Sequence, residues 1–377
     1  MKPLLWAVLL SLPTLSFATT PVPELNNKSY VLMDYATGQI LAAKNEHQAL
    51  APASMTKMMT SFIVEQQLLK GELTEQEQVR VSQAAACVNR TESCMFLAAD
   101  SRASVIDLLR GIIVQSGNDA SQALAEYIAG DEAAFVQRMN EEAKRLGMHN
   151  TRFMNSTGMP AEGHYSSAQD MAILAQHIIQ DSAKYYPIYA EKSFTFNNIQ
   201  QNNRNALLFS DPSVDGLKTG HTQQAGYCLT TSAKRDNLRL ISVIFGAPSM
   251  QARTAQTRSL LAWGYQNFEA VPVQAGKQVL QHSPVAFGKA SKVNVGLAHD
   301  FLVTLPKAQK AKLETQMLLK SELMAPVTAG QVVGKMVVSI GGKTFAEQPL
   351  VALETIEQAG FFGRLFEHCK RFVLSLF

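Results

Sequence analysis

The stretch Pro52-Ala53-Ser54-Met55-Thr56-Lys57 constrains this chain most, because it combines a helix start with a nucleophile and a candidate base. A proline and small residues precede the apolar, Met-rich residues 58–64, which predicts a helix beginning at or near Ser54. Residues three apart on a helix are neighbours, so the Lys57 amine can reach the Ser54 hydroxyl. A lysine that burial or nearby cations keep neutral can activate a serine, and the free backbone N–H groups at a helix start can bind an oxyanion. The stretch therefore predicts acyl transfer.

Two further polar motifs strengthen this prediction, since Ser-x-x-Lys alone is a loose pattern. Ser116-Gly117-Asn118 follows a predicted helix, and Lys218-Thr219-Gly220 ends a predicted strand; each of the three patterns occurs once. Taken alone, the turn at Ser116 would be an ordinary connection between helices with a capping side chain. With a glycine between them, both polar side chains of this turn can face a cleft.

The N-terminus indicates export. Lys2 is followed by the apolar residues 4–15 and by Ser16-Phe17-Ala18, which has small residues where a signal peptidase reads the chain. We therefore expect a signal peptide over residues 1–18, because the apolar run is shorter than the ~20 residues that a spanning helix needs. The net charge of +3, without a basic cluster that interleaves aromatic residues, argues against a nucleic-acid partner.

The cysteines predict no metal site. Cys87, Cys94, Cys228 and Cys369 match neither zinc-site spacing nor a thioredoxin-type motif, and we expect no cofactor. In an oxidising compartment Cys87 and Cys94 could close a short loop through a disulfide, or they could remain free thiols on one helix face. Cys228 follows a strand start and is typical of a small core residue.

Periodicity predicts a large mixed domain over residues 19–267. A hairpin with a glycine turn at Gly38 precedes the Ser54 helix, and residues 154–165 form an irregular loop near the site. Gly220 is expected to let a substrate backbone approach closely. The remaining predicted elements are helices at 105–114, 120–128, 132–146, 168–179 and 251–266 and antiparallel strands at 214–219, 227–232 and 238–245.

The pattern of apolar and polar residues changes at about Phe268. Short alternating runs and a hairpin over residues 336–345, with its turn at Gly341-Gly342, predict a small all-β domain over residues 268–357. This region carries no convincing chemical motif, and its boundary depends on periodicity alone.

Residues 358–377 contain a stretch, Phe361 to Phe377, that divides into an aromatic apolar face and a largely cationic face at helical spacing. A surface helix packed on its own domain would show a similar division. The aromatic stripe, the opposing positive charge and the terminal position favour instead a helix lying in a membrane interface. The stretch is too short and too charged to span a membrane.

The three polar motifs, together with three other stretches of the chain, resemble one family. With Tyr30-Val31-Leu32-Met33-Asp34, the run from Val214 to Thr222 and Phe361-Phe362-Gly363-Arg364, they resemble the low-molecular-mass penicillin-binding proteins, the D-alanyl-D-alanine carboxypeptidases related to penicillin-binding proteins 5 and 6. The resemblance implies an α+β fold. A β-lactamase/transpeptidase-like domain, an antiparallel sheet with helices on both faces, would be followed by the small all-β domain and the amphipathic helix.

The resemblance also implies an activity and a location. The enzyme would remove the last D-alanine from peptidoglycan stem pentapeptides at the periplasmic face of a Gram-negative inner membrane, anchored peripherally by its C-terminal helix. β-Lactam antibiotics would acylate the same serine.

The resemblance implies a role for each matching residue. The catalytic set would be Ser54 as nucleophile, Lys57 as general base, Ser116 and Asn118 as proton relay and substrate-amide contact, and Lys218 as a source of positive potential. The substrate-binding set would be Lys218, Thr219, Gly220, His221 and Arg253, where the backbone N–H groups of Ser54 and His221 form the oxyanion hole and Thr219 and Arg253 hold the terminal carboxylate.

Two other functions remain open at this point. A serine β-lactamase shares the motifs but must hydrolyse its acyl-enzyme rapidly, and Glu162-Gly163-His164-Tyr165 does not resemble the glutamate motif that class A enzymes use for that step. A catalytically silent cell-wall-binding protein would not need the intact motifs. The loop between Cys87 and Cys94 is shorter than in relatives, which bears on substrate size and deacylation.

Overall fold

The computed structural model describes residues 20–89 and 92–374, with side chains up to residue 371. The expected signal peptide, residues 1–18, lies outside the described residues. Contacts divide the chain into a larger unit, Val22–Pro272 with Leu302–Thr304, and a smaller unit that contains Val273–Phe301 and Leu305–Phe377.

The larger unit mixes strands and helices along the chain. Its strands are β1 (Ser29–Asp34), β2 (Ile40–Lys44), β3 (Gln78–Arg80), β4 (Arg102–Ser104), β5 (Ser193–Phe196), β6 (Ile199–Asn202), β7 (Val214–Thr222), β8 (Gly226–Arg235) and β9 (Leu238–Ala247). Its helices are α1 (Lys57–Lys70), α2 (Val105–Arg110), α3 (Asn118–Ala129), α4 (Glu132–Arg145), α5 (Ala168–Asp181), α6 (Leu207–Ser210) and α7 (Met250–Asn267).

A central antiparallel sheet with strand order β2-β1-β9-β8-β7 organises this unit. Every residue of β1 is buried, because the sheet is covered on both faces. Successive strand side chains point to opposite faces, so Val31 and Met33 join one core cluster with the N-terminal helices and α5, while Leu32 joins a second with Leu260 of α7. This arrangement confirms the expected antiparallel sheet with helices on both faces.

The predicted elements of the larger unit are largely confirmed, and two of the differences lie close to the cavity or to the segment that leads into it. The helix expected over residues 105–114 is α-helical only in α2 and continues as a π-helical segment over Gly111–Gln115. The hairpin β5–β6 was not predicted, because its strands have only four residues each and β6 is largely polar, although Phe194 and Phe196 alternate with polar residues in β5. Its turn at Asn197-Asn198 has positive φ at both residues. Asparagine tolerates this backbone geometry, so the Asn-Asn pair is itself a sequence indication of a turn.

The rest of the chain is rich in strands. These are β10 (Phe268–Gln274), β11 (Gln281–Ala286), β12 (Lys292–Leu297), β13 (Phe301–Pro306), β14 (Leu313–Leu319), β15 (Leu323–Met324), β16 (Val332–Ile340) and β17 (Lys343–Ala352). A sheet of order β14-β16-β17-β12-β11-β15 buries Val293, Val295 and Val338. The expected hairpin is confirmed as β16–β17, whose turn glycines both have positive φ.

The C-terminal stretch forms α8 (Phe361–Leu374). Its polar side packs on other residues of the smaller unit, because Arg371 pairs with Glu322 and lies over the Phe287 ring, 5.2 Å from the ring centroid. Its aromatic side faces outward, and Phe362 and Phe366 are 83% and 71% exposed. Among the described helices, none is long and apolar enough to cross a membrane.

Candidate active site

Ser54 lies in a short 3₁₀ turn, Ala53–Thr56, that leads directly into α1. The helix predicted at or near Ser54 therefore starts as a 3₁₀ turn and becomes α-helical only at Lys57. The turn is braced tightly from outside: a Cβ atom at Gly158 would lie 1.9 Å from the Ala53 carbonyl oxygen, so only glycine fits there. Close packing of this kind fixes the direction of the half-buried Ser54 side chain.

Lys57 is fully buried, and three acceptors surround its amine. Its Nζ lies 3.3 Å from Ser54 Oγ, 2.7 Å from Asn118 Oδ1 and 2.5 Å from the Thr157 carbonyl oxygen. A neutral amine has two N–H donors and one lone pair. When Lys57 is neutral, Asn118 and Thr157 can accept its two hydrogens, and the lone pair is left for the Ser54 hydroxyl proton.

The surroundings of Lys57 shift the pKa of its amine toward neutral pH. The pKa of Lys57 is lowered to about 7, chiefly by burial and then by the Arg204 cation, while Asp119 and Glu92 partly oppose these effects. Burial disfavours the charged form of an amine because the protein interior solvates it less well than water does. A base with a pKa close to the working pH is both available and strong enough to accept a proton.

Ser116 and Lys218 form a second hydrogen-bonded pair. The π-helical segment ends at Ser116, whose left-handed backbone (φ 62°) turns the chain into α3 at Asn118. Lys218, on β7, donates to Ser116 Oγ at 2.8 Å and is only 3% exposed. Burial, together with the cations Lys57, Arg204 and Arg253, holds the pKa of Lys218 well below its usual range.

Gly220 serves the packing of β7 against the Ser54 turn. A Cβ atom at this position would lie 2.7 Å from the Pro52 carbonyl oxygen and 3.3 Å from the Met55 nitrogen. The space that a side chain at residue 220 would need is therefore filled by the protein's own turn. The absent side chain brings the strand that carries Lys218 close to the turn that carries Ser54.

A cavity of about 1030 Å³ opens above these residues. Most of the residues singled out in the sequence line it, while Lys57 and Lys218 lie buried below its floor. Its lining includes Ser54, Ser116, Asn118, Thr219, Gly220, His221 and Arg253, joined by Glu92, Ser93, Arg204, Phe209 and Tyr227, which the sequence motifs did not indicate. The exposed His221 ring stacks on Tyr227, with the ring centroids 4.1 Å apart.

Arg253 contributes a buried cation to the cavity wall. It lies in the first turn of α7, which Ser249 caps by accepting from the Ala252 N–H. Its side chain is 3% exposed, Nη1 donates to the Cys228 carbonyl oxygen at 3.4 Å, and no described atom accepts from Nε. A buried guanidinium with a spare donor suits an anionic ligand such as a carboxylate.

The structure joins Cys87 and Cys94 in a disulfide, which closes the loop that carries Glu92 and Ser93. Glu92 Oε2 accepts from Asn118 Nδ2 at 3.0 Å, and the Ser93 carbonyl oxygen accepts from the Asn118 backbone N–H at 2.7 Å. The Ser93 hydroxyl accepts from Arg204 at 2.7 Å. Because their sulfurs are consumed in the disulfide, Cys87 and Cys94 offer no thiolate to a metal, although Asp119 lies nearby.

Residues 154–165 brace the site and supply no obvious hydrolytic base. Glu162 is exposed and does not line the cavity. His164 is buried, its Nε2 is 2.8 Å from Thr56 Oγ1, and its Nδ1 accepts from the Met154 N–H. Burial lowers the pKa of His164 to about 4, so the neutral ring supports the turn that contains Ser54.

Comparison with known proteins covers both parts of the chain. Residues 16–249 match the D-alanyl-D-alanine carboxypeptidase family, and residues 268–358 match the C-terminal domain of penicillin-binding protein 5. The chain is 42% identical to D-alanyl-D-alanine carboxypeptidase DacA of Haemophilus influenzae over 368 residues, which is 96% of this chain and 93% of that protein.

Solved structures give the same result. Penicillin-binding protein 5 from Haemophilus influenzae matches with a TM-score of 0.84 and 41% identity, over 90% of this chain and 100% of that one. Penicillin-binding protein D2 from Listeria monocytogenes, in its cefotaxime-bound form, matches with a TM-score of 0.60 and 27% identity, over 65% of this chain and 99% of that one. The similarity thus includes the unit that contains the cavity.

Proposed function

The chain belongs to the D-alanyl-D-alanine carboxypeptidase family, and on that premise we propose that it removes the terminal D-alanine of peptidoglycan stem pentapeptides through an acyl-enzyme on Ser54. It is a serine hydrolase. The observation that carries the assignment of Ser54 is its contact with Lys57, a buried amine whose two other acceptors leave the lone pair for the serine proton.

In the acylation step, Ser54 Oγ attacks the carbonyl carbon of the penultimate D-alanine while Lys57 takes the hydroxyl proton. Backbone N–H groups of Ser54 and His221 stabilise the resulting oxyanion, an interaction that strengthens as the charge develops. The C–N bond then breaks as the Ser116 hydroxyl, which is hydrogen-bonded to Lys218, gives its proton to the leaving amine and takes up the proton that Lys57 removed from Ser54. Terminal D-alanine departs, and an ester remains on Ser54.

In the deacylation step, water attacks the ester carbonyl and Lys57 again accepts a proton. The carbon–oxygen bond to Ser54 breaks, Lys57 returns the proton to the Ser54 oxygen, and the shortened peptide leaves with a new carboxylate. The same base serves both steps because its pKa near 7 lets it return to the neutral form between them.

Arg253 and Thr219 bind the terminal carboxylate of the substrate in this proposal. The buried guanidinium supplies charge-assisted hydrogen bonds, and the surrounding protein strengthens them by excluding water. This subsite makes the enzyme a carboxypeptidase, since a peptide that continues beyond the second D-alanine would present no carboxylate there.

β-Lactam antibiotics acylate Ser54 because they present a carboxylate and a reactive carbonyl in a similar arrangement. A relative of this fold has been solved with bound cefotaxime, which supports the assignment. The β-lactamase alternative is disfavoured because Glu162 is exposed and lies outside the cavity lining. The silent cell-wall-binding alternative is disfavoured by the hydrogen bonds that connect Ser54, Lys57 and Asn118.

The mature chain works at the periplasmic face of the inner membrane. Residues 1–18 are its cleaved signal peptide, residues 19–267 the peptidase domain, residues 268–357 a β-rich domain and residues 358–377 the anchoring helix. The outward aromatic side of α8 supports interfacial membrane binding, since aromatic side chains with cationic neighbours favour the headgroup region.

The test is to follow D-alanine release from a peptide ending in D-Ala-D-Ala, beside the lifetime of the penicillin adduct, with the full mature protein in detergent. Release together with a long-lived adduct is the expected result. Rapid adduct decay without release would indicate a β-lactamase, and the absence of both would indicate a silent protein. Ser54→Ala is the matched control and should remove both signals.

A further inference from the structure

The side-chain amide of Asn118 has two chemically different ends, and the site needs them in one orientation. Oδ1 must face Lys57, because the Lys57 amine donates to it at 2.7 Å. Nδ2 must then face the other way, toward the cavity wall. An amide can rotate by half a turn with little change in shape, so its orientation is set by the partners available on each side.

Glu92 provides the partner that selects this orientation. Its Oε2 lies 3.0 Å from Asn118 Nδ2, and its Oε1 accepts from Asn89 Nδ2 at 3.1 Å. An ionised carboxylate only accepts hydrogen bonds, so it attracts the NH₂ end of the amide and repels the oxygen end. A bond between a carboxylate and an amide is also stronger than one between neutral groups.

The loop that carries Glu92 is held against Asn118 at several points. Ser93 accepts from the Asn118 backbone N–H, and the Cys94 side chain, 5% exposed, is bonded to Cys87. Just beyond Cys94, the buried Asp119 carboxylate accepts from the backbone N–H groups of Met95 and Leu97. The residue that follows Asn118 therefore fixes the far side of the same loop.

We propose that Glu92 is a positioning residue for Ser54 acylation: its carboxylate orients the Asn118 amide toward Lys57, and the Cys87–Cys94 disulfide keeps Glu92 in place. The second hydrogen of Asn118 Nδ2 remains available for a substrate carbonyl. The inference rests on the proposed function only in that Ser54 is the acylated residue, and it holds for any acylating ligand.

The charge of Glu92 also acts on Lys57. The charged groups that act on that amine are the Arg204 cation and the carboxylates of Asp119 and Glu92. The buried amine of Lys218 lies nearby, and its own pKa is lowered by burial and by Lys57. Glu92 raises the pKa of Lys57 and so opposes burial. The acid limb of the pH profile is the range in which the acylation rate rises with pH to its plateau. Removing the Glu92 charge should move this limb to lower pH. A general loosening of the site would lower the rate without moving the limb in that direction.

The experiment measures the second-order rate constant for acylation by a fluorescent penicillin between pH 5 and 9, in Glu92→Ala, Glu92→Gln and Glu92→Asp. Loss of a hydrogen bond to a charged group predicts a plateau roughly tenfold lower in E92A. E92A and E92Q should both shift the limb to lower pH, and E92D should keep the limb of the wild type. E92Q preserves side-chain size and carries the test if E92A does not fold.

Two controls make the result specific. Glu72→Gln removes the same charge from an exposed position two residues beyond the end of α1, a helix that extends roughly 20 Å from Lys57 at 1.5 Å per residue, and should change neither plateau nor limb. Reducing the disulfide should reproduce the E92A effect in the wild type and add little to it in E92A. A plateau within twofold of wild type in E92A, with an unmoved limb in E92Q, would overturn the proposal. If penicillin still labelled Ser54→Ala, the proposed function itself would fail.

Discussion

The acid limb of acylation provides a sensitive test of how Ser54 is activated. Lys57 must be neutral to accept the serine proton, and burial with the nearby Arg204 cation lowers its pKa to about 7. The sign is that of a base: the active, neutral fraction rises with pH through the lowered pKa. We therefore expect the acylation rate to rise between pH 5 and 8 and to be half of its plateau near pH 7.

The magnitude follows from that pKa. About half of the Lys57 amines would be neutral at pH 7, about a tenth at pH 6 and about a hundredth at pH 5, whereas a lysine with an unperturbed pKa would be neutral in fewer than about one molecule in a thousand at pH 7. Stopped-flow labelling with a fluorescent penicillin measures the rate at each pH.

A second perturbation checks the cause of the shift. Arg204→Gln removes a cation that disfavours the charged form of Lys57, so the limb should move to higher pH, opposite to the shift expected for E92Q. Glu72→Gln again serves as the charge control. A limb above pH 9 in the wild type, or a rate independent of pH, would refute the assignment of Lys57 as a neutral base.

Three further predictions follow from the contacts described. Arg253→Gln should lower the acylation rate constant of a carboxylate-bearing penicillin by roughly ten- to a hundredfold, as expected for the loss of hydrogen bonds to a charged group. The rate constant of an esterified analogue should fall much less, and equal losses for the two compounds would remove Arg253 from the carboxylate subsite. Burial raises the pKa of Glu65 to about 8, so between about pH 4.5 and 8 the folded protein binds more protons than the unfolded chain, and the stability that this group contributes falls as the pH rises. In thermal melts, the melting temperature of Glu65→Gln relative to wild type should therefore increase from pH 5 to pH 8. A difference that stays constant with pH would contradict the raised pKa. Removing residues 361–377 should release active protein from membrane vesicles, and a full-length variant with Phe362→Ser and Phe366→Ser should bind the vesicles more weakly. If both variants sediment with the vesicles as the wild type does, α8 is not the anchor.

Much of the site could be predicted from local sequence because its geometry is local. The spacing of Ser54 and Lys57 survives the change from an α-helical to a 3₁₀ first turn, since both forms bring residues three apart together. Strand β7 follows from its neighbours β8 and β9, whose apolar runs and turn residues predict an antiparallel sheet.

The rest of the site depends on contacts between distant segments. The Thr157 carbonyl oxygen that accepts from Lys57 belongs to an irregular loop, and no pattern in residues 154–165 indicates that contact. Glu92 and Arg204 lie in short polar segments without periodicity, so their approach to Asn118 and Ser93 becomes visible only in the fold. The π-helical segment before Ser116 also has no recognised sequence signal, although it sets the direction of that side chain.

The central claim is that Ser54 carries the acyl-enzyme formed with peptides ending in D-Ala-D-Ala. The most direct measurement is to trap the mature protein with penicillin and with a slowly released depsipeptide, digest each adduct and locate the added mass by peptide mass spectrometry. The account predicts that both masses lie on Ser54 and that Ser54→Ala neither gains mass nor releases D-alanine. An adduct on any other residue, or D-alanine release by Ser54→Ala, would contradict it.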